Sequence, residues 1–223
     1  MSTAKFAVEA VMFDLDGTLV DSLPDIALSA NRMLAEMGRP QRDMAEIRRF
    51  VGKGIPNLVT RCMTEDAQAG EAEIEAAIAV FRRHYTHING QHAEVYPTVR
   101  VTLAQMRAMG LKLACVTNKA EAFTLPLLDK LELTHHFDAV VSGDTLPVKK
   151  PDPAVMHHTC TLLGTRRALM IGDSANDALA ARAAGLPVLL VTYGYSEGVP
   201  VDTIECDGLL STASDALARI QRA

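Results

Sequence analysis

Short runs of apolar residues alternate with helical stretches through most of the chain, and this alternation limits the folds that the sequence can adopt. Each run is rich in aliphatic residues and too short for a helix, so each predicts a buried strand: Val8–Phe13, Leu111–Val116, Ala139–Val141, Ala168–Ile171 and Val188–Val191. Strands that are separated by helices form mainly parallel sheets. The sequence therefore predicts an α/β fold with a doubly wound core.

After the first predicted strand the alternation stops, and about 70 residues show only helical patterns. Apolar residues trace one helix face from Ile26 to Met37 and another from Ile74 to Ile88. We expect residues 21–93 to form a helical insert that is large enough to act as a lid. Residues 1–20 and 94–223 would then form the core.

Composition excludes several classes of partner. The chain has 223 residues and a net charge of -5, and no block of lysines or arginines indicates binding to nucleic acid. The apolar runs are far too short to cross a bilayer, and the N-terminus lacks the apolar stretch of a signal peptide. The 4 cysteines are isolated from one another and form no metal or redox motif. We expect a cytoplasmic enzyme that is a monomer or a homodimer.

Pairs of carboxylates follow two of the predicted strands. Asp14 and Asp16 end the first strand, where Gly17 forces a turn. Asp173 and Asp177 follow a later strand and are four residues apart. Carboxylates at the buried edge of a sheet repel one another unless a cation joins them, so these positions predict a Mg²⁺ site. Asp173 alone is also compatible with capping the helix that follows it.

Two further strand ends carry groups that can bind phosphate. One strand is followed by Thr117, Asn118 and Lys119, which offer a hydroxyl group and, if a helix begins there, free backbone N–H groups. The other is followed by a proline-rich loop in which Lys149 or Lys150 would be held beside a phosphate and an aspartate. Taken singly, Lys119 could be solvated, and the two adjacent lysines could belong to a surface loop.

Four short motifs occur in a fixed order along the chain. They read Asp-Leu-Asp-Gly-Thr-Leu-Val-Asp-Ser from Asp14, Thr-Asn-Lys from Thr117, Lys-Lys-Pro-Asp-Pro from Lys149 and Gly-Asp-Ser-x-x-Asp from Gly172. In content and order they resemble the four motifs of the haloacid dehalogenase superfamily. The resemblance implies a Rossmann-like core with an inserted α-helical cap of the C1 type, which corresponds to the predicted insert.

Within that superfamily the chain is most similar to bacterial phosphoglycolate phosphatases. The similarity lies in Val51-Gly52-Lys53-Gly54 of the insert, in the segment from Thr145 to Pro151 and in Thr192-Tyr193-Gly194-Tyr195. It implies a phosphatase that cleaves a small phosphorylated metabolite, with 2-phosphoglycolate as the leading substrate.

The resemblance also implies a role for each matching residue. Asp14 would attack phosphorus and form an aspartyl-phosphate intermediate, while Asp16 would protonate the leaving oxygen and then activate water. Thr117 and Lys150 would bind the phosphoryl oxygens, and Asn118 would assist through its backbone N–H.

The same resemblance implies a set of metal ligands. Mg²⁺ would be held by the side chains of Asp14 and Asp173 and by the backbone carbonyl of Asp16. Asp177 would not bind the ion directly but would contact its ligands. Every acidic residue of the predicted metal site thus lies within one of the four motifs.

Several alternatives stay open at this point. Asp16 is present, which argues against dehalogenases and phosphonoacetaldehyde hydrolases, but a sugar phosphomutase similar to β-phosphoglucomutase would share all four motifs. Further alternatives are a phosphatase for sugar phosphates or nucleotides and a non-catalytic binding member of the fold.

Lys53 lies between Gly52 and Gly54, so we expect it to contact the far end of the substrate when the insert closes. The competing interpretation is a solvated lysine in a flexible hinge.

Overall fold

A computed structural model describes residues 5–64 and 68–223. The strands, in chain order, are β1 (Phe6–Val8), β2 (Ala10–Phe13), β3 (Val20–Asp21), β4 (Glu94–Val95), β5 (Lys112–Val116), β6 (Ala139–Val141), β7 (Ala168–Gly172), β8 (Val188–Val191), β9 (Leu209–Leu210) and β10 (Ile220–Arg222).

The α-helices are α1 (Leu23–Glu36), α2 (Met44–Arg48), α3 (Ile55–Thr64), α4 (Glu71–Ile88), α5 (Val99–Ala108), α6 (Glu121–Lys130), α7 (Ala154–Leu163), α8 (Ala175–Ala183) and α9 (Ala216–Arg219). Within the described ranges, no helix combines the length and the apolar character needed to cross a membrane.

The centre of the molecule is a six-stranded sheet in the order β6-β5-β2-β7-β8-β9. Every neighbouring pair in it is parallel. Along β2, Val11 and Phe13 face one apolar cluster while Ala10 and Met12 face another, as the two-residue period of a strand requires. Both faces are therefore covered, which explains the continuous apolar runs in the sequence. The predicted parallel α/β core is confirmed.

The first predicted strand is wrong in one respect, because it is two strands rather than one. Val8 belongs to β1, which pairs with β10 outside the central sheet, and Ala10 begins β2. Glu9 lies between them, and its backbone N–H donates to the Arg167 carbonyl at 2.7 Å. Its carbonyl accepts from the Lys112 N–H at 3.0 Å. These bonds turn the chain from one sheet to the other.

Helices α1 to α4, which we call the helical segment, form most of one apolar cluster, which Phe123 of α6 and Tyr195 complete. Met33 and Phe81 are fully buried in it, on the helix faces that the sequence pattern predicted. The described part of this segment contains no strand, as expected. Two short strands connect it to the rest of the chain, since β3 and β4 pair in antiparallel fashion through Val20 and Val95.

A buried carboxylate ties the two ends of the helical segment together. Asp25, in α1, is fully buried, and its Oδ2 accepts hydrogen bonds from the backbone N–H groups of Gly90 at 2.7 Å and Ala93 at 3.2 Å. Its Oδ1 accepts from the His92 N–H at 2.9 Å. The chain therefore leaves the segment next to the place where it enters.

Asp25→Ala should destabilise the fold, because it leaves three backbone N–H groups, two of them in buried hydrogen bonds, without an acceptor. Each such group costs about 1–3 kcal/mol, and partial relaxation should hold the total loss of unfolding free energy to about 3 kcal/mol. Urea denaturation measures this value, with the exposed Asp202→Ala as the matched control. A loss below about 0.5 kcal/mol, the usual effect of a surface substitution, would show that these bonds contribute little.

Candidate active site

The carboxyl ends of β2, β5 and β7 meet at one edge of the central sheet, where Asp14, Thr117 and Asp173 follow the strands. The chain turns sharply after β2 at Gly17, which has φ +85°. A Cβ atom there would lie 2.4 Å from Oδ2 of Asp173. Glycine is thus required both by the backbone angle and by the close approach of the two loops.

Three carboxylates converge at this edge. One oxygen from each of Asp14, Asp173 and Asp177 lies within 4.8 Å of the others. Nζ of Lys150 lies 3.0 Å from Oδ1 of Asp14 and 2.6 Å from Oδ1 of Asp177. The lysine side chain is almost completely buried. The structure therefore brings together Asp14, Asp173, Asp177 and Lys150, all of which the sequence analysis singled out.

Burial disfavours charge on this cluster. It raises the pKa of Asp14 well above its ordinary value, although Lys150 opposes the shift, and Asp177 adds to it. Burial and the charge of Asp177 likewise raise the pKa of Asp173 to about 7. For Lys150 burial opposes the charged form, but Asp14 and Asp177 outweigh it, so the pKa of this lysine is also raised. Three acids share one cation, and the cluster lacks positive charge.

This donor set fits a divalent cation. The oxygens are hard ligands, they come from three separate points of the backbone, and a metal would supply the missing charge. The carboxylate of Asp16 is not part of the cluster, since it faces a different lysine. The predicted contribution of Asp16 to the metal is through its backbone carbonyl, and that stays a prediction.

Asp173 does not cap the helix that follows it. The N-cap of α8 is Ser174, which forms a reciprocal capping box with Asp177. Oδ2 of Asp173 instead accepts from the backbone N–H groups of Tyr195 at 2.7 Å and Ser196 at 3.3 Å. The capping interpretation of Asp173 is therefore wrong, and its carboxylate is oriented towards the cluster by the loop after β8.

Thr117 and Asn118 follow β5 and line the cavity above the carboxylates. Helix α6 begins only at Glu121, so Thr117 is not at a helix N-terminus. Asn118 donates through Nδ2 to the carbonyls of Gly52 and Lys150, both at 2.9 Å. Its side chain thus joins the helical segment to the lysine loop, while its predicted contact with phosphate through the backbone N–H stays untested.

Asp16 is held by a separate network. Its Oδ1 accepts from Oγ of Ser22 at 2.5 Å, and Nζ of Lys119 lies 3.0 Å and 3.2 Å from its two oxygens. Lys119 also donates to the hydroxyl of Tyr85, which comes from α4. Burial raises the pKa of Tyr85 to about 12, so the phenol is neutral. This network links the end of β2 to the helical segment.

The interpretation of Lys119 as a solvated lysine is wrong, because only 7% of the residue is exposed. Burial opposes its charge, but Asp16 and Tyr85 outweigh that effect and raise its pKa. Tyr85 lies on the apolar helix face from Ile74 to Ile88, and nothing in that pattern indicates a role for its hydroxyl. The one signal for Lys119 in the sequence was its position two residues after Thr117, at the same strand end.

A cavity lies between this sheet edge and the helical segment. Its floor carries the polar residues already described. Its roof is apolar and includes Ile26, Val51, Ile55, Leu58 and Phe81. A ligand here would have a charged end below and an apolar surface above.

Lys53 forms an ion pair outside the lining of the cavity. Its Nζ lies 3.0 Å from Oε2 of Glu197, and the side chain is 52% exposed. The neighbouring Gly52 and Gly54 line the cavity, whereas Lys53 is outside the lining. The ion pair with Glu197 joins the helical segment to the loop after β8. A contact between Lys53 and the substrate stays a prediction.

Comparison with known proteins identifies the family. Residues 11–191 match the family model described as haloacid dehalogenase-like hydrolase. The chain belongs to this family. The resemblance that the four motifs indicated is thereby confirmed, and the carboxylate cluster of this hydrolase contains the motif residues.

Several relatives of this hydrolase are named or described as phosphoglycolate phosphatases. A protein of Nitrosospira multiformis named phosphoglycolate phosphatase is 46% identical over 220 residues, which are 96% of each chain. A protein of Thiobacillus denitrificans with the same name is 41% identical over the whole of both chains. A crystal structure described as a predicted phosphoglycolate phosphatase from Haemophilus somnus superimposes with a TM-score of 0.89, at 34% identity, over 94% of this chain and 96% of that one.

The raised pKa of Asp173 makes a prediction for the metal-free hydrolase. An unfolded carboxyl group has a pKa near 3.9, so between about pH 4 and pH 7 the folded state binds more protons than the unfolded state. Asp173 therefore lowers the unfolding free energy as the pH rises through this range. Asp173→Asn should remove that loss, and the variant should gain stability relative to wild type between pH 5 and pH 7.5.

Denaturation in the presence of a chelator measures this difference. The exposed Asp129→Asn serves as the control and should follow the wild-type curve. Parallel curves for wild type and Asp173→Asn would show that Asp173 titrates like a surface carboxylate.

Proposed function

We propose that the protein is a Mg²⁺-dependent phosphatase that hydrolyses 2-phosphoglycolate through an aspartyl-phosphate intermediate. The observation that carries the proposal is the partly buried Asp14, with its Oδ1 3.0 Å from Nζ of Lys150 and with Asp173 and Asp177 beside it. The names of the relatives that cover the full chain support this substrate.

In the first half of the reaction, a carboxylate oxygen of Asp14 attacks phosphorus. A new bond forms between this oxygen and phosphorus, and the bond from phosphorus to the ester oxygen breaks. The leaving oxygen takes its proton from Asp16. Asp16 reaches this position only after it leaves Lys119, because in the structure both its oxygens face that lysine.

In the second half, water attacks the phosphorus of the aspartyl-phosphate and restores the Asp14 carboxylate. Asp16, now deprotonated, accepts the proton of the attacking water. Lys150 and the hydroxyl of Thr117 bind phosphoryl oxygens through both steps and stabilise the charge that develops on them.

Asp14, Asp173 and the Asp16 carbonyl would hold Mg²⁺, with Asp177 supporting them. Held by these residues, a divalent cation would supply positive charge that lowers the repulsion between the phosphoryl oxygens and the attacking carboxylate. Lys150 alone does not balance the charge, because it already pairs with both Asp14 and Asp177.

The helical segment is, in this proposal, a cap that closes over the sheet edge. Its contacts with the core support this role, since Gly52 accepts from Asn118, and Lys53 pairs with Glu197. Closure would exclude water from Asp14 during the first step. That the enzyme is cytoplasmic, acts as a monomer or homodimer and binds neither nucleic acid nor membranes remains a prediction from the sequence.

A sugar phosphomutase remains the second candidate on the grounds of the shared motifs. The two activities differ in their product, because a mutase returns the phosphoryl group to a sugar while a phosphatase releases it to water. Release of inorganic phosphate from 2-phosphoglycolate, without a phosphorylated acceptor, favours the phosphatase.

Asp14→Asn should reduce kcat for 2-phosphoglycolate by at least ~10³-fold, because the amide is not a nucleophile. Phosphate release by purified enzyme with Mg²⁺ measures this loss. The wild-type enzyme should also be inactive in excess chelator and recover when Mg²⁺ is restored.

The exposed Asp202→Asn makes the same chemical change on the surface and should keep wild-type activity. Thermal melting shows whether Asp14→Asn is folded. A folded Asp14→Asn variant with more than about a tenth of wild-type kcat would rule out covalent catalysis at this residue.

A further inference from the structure

The substrate assigned above has two anionic ends, and the cluster at Asp14 accounts for only the phosphate. The other end, a carboxylate, must be desolvated when it enters the cavity, and this is costly without a cation or strong donors. The roof provides apolar side chains such as Ile55 and Phe81. The partner of the carboxylate must therefore lie elsewhere in the lining.

Among the residues that the structure describes, Lys119 is the one positively charged side chain that lines the cavity. Lys150 lies beneath the floor and is bound to Asp14 and Asp177. Lys53 is outside the lining and pairs with Glu197. On position alone, Lys119 is the lysine that a ligand in the cavity would reach.

Lys119 already binds a carboxylate, and the geometry of that pair shows that a carboxylate of the substrate fits the same donor. Its Nζ contacts both oxygens of Asp16, at 3.0 Å and 3.2 Å, and the hydroxyl of Tyr85 is its third partner. The lysine side chain is 4% exposed, so solvent does not compete for it. Such charge-assisted hydrogen bonds are among the strongest that proteins make.

We propose that Lys119, held by Tyr85, binds the carboxylate of the substrate. The substrate carboxylate then replaces the Asp16 carboxylate as the partner of this lysine. The inference rests on the proposed function. In 2-phosphoglycolate a single CH₂ group separates the carboxylate from the ester oxygen. The partner of the carboxylate must therefore be next to the group that acts on the ester oxygen, as Lys119 is next to Asp16.

The exchange couples recognition to catalysis. While Asp16 is paired with Lys119 it is held away from the ester oxygen, and a substrate carboxylate on Lys119 sets it free to move. A phosphate ester without a carboxylate lacks this effect and leaves Asp16 paired. Because Tyr85 belongs to α4, the same contact also links carboxylate binding to the position of the helical segment.

Ethyl phosphate tests this coupling, because it differs from 2-phosphoglycolate only by a methyl group in place of the carboxylate. The quantity to measure is the ratio of kcat/KM for the two substrates, with Mg²⁺ present. Lys119→Met keeps an unbranched side chain that is one atom shorter and removes the charge. It should lower the preference for 2-phosphoglycolate by about 10- to 100-fold, through both kcat and KM.

Lys130→Met is the matched control, because Lys130 is exposed on α6 and outside the cavity lining. It should retain the wild-type preference. If Lys119→Met does not fold, Tyr85→Phe replaces it, since loss of the hydroxyl should reduce the preference about threefold to tenfold.

Two results would overturn the inference. Equal losses on both substrates in Lys119→Met would mean that the lysine acts only through Asp16 or the fold. A loss of preference in Lys53→Ala, with the preference intact in Lys119→Met, would assign the carboxylate to Lys53 instead. A wild-type enzyme that shows no preference for 2-phosphoglycolate would refute the proposed substrate itself, which separates the two failures.

Discussion

The buried ion pairs of Lys150 hold the site together. Three carboxylates meet at the end of the sheet, and their mutual repulsion and lost hydration would disfavour folding without a cation. Nζ of Lys150 contacts Asp14 and Asp177 and also donates to the Val116 carbonyl at 2.7 Å. One ammonium group thereby joins the residue that follows β2, the last residue of β5 and the first turn of α8. The remaining excess of negative charge gives the site its affinity for a divalent cation.

Polar contacts join the start of the helical segment to this edge and hold the two ends of the segment together. The Tyr195 hydroxyl accepts from the backbone N–H groups of Ser22 at 2.8 Å and Leu23 at 2.9 Å, at the start of α1. Asp25 binds the backbone where the segment ends. The apolar cluster of the segment also contains Phe123 and Tyr195, so the segment packs directly on the elements that surround the sheet edge.

Most of the sheet could be predicted because a strand that is covered on both faces must be apolar throughout. Ala139–Val141 and Val188–Val191 agree with the observed strands residue for residue. The run Val8–Phe13 could not be divided from sequence, since the break at Glu9 is set by Arg167 and by Lys112, which are distant in the chain. Among the lysines, the prolines indicated a fixed loop that contains both Lys149 and Lys150, and only the resemblance to the family favoured Lys150, whereas Lys119 has no such neighbours.

The sequence by itself determined the parallel sheet and the positions of Asp14, Thr117 and Asp173 at its edge, because the place where a strand ends is a local property of the apolar pattern. The tertiary structure decided which side chains face each other. It turned Asp16 towards Lys119 rather than the other carboxylates, buried the Tyr85 hydroxyl against that lysine and paired Lys53 with Glu197. These contacts join residues up to 144 positions apart, counted from 53 to 197, and they depend on how the helical segment packs on the core. No local pattern encodes that packing.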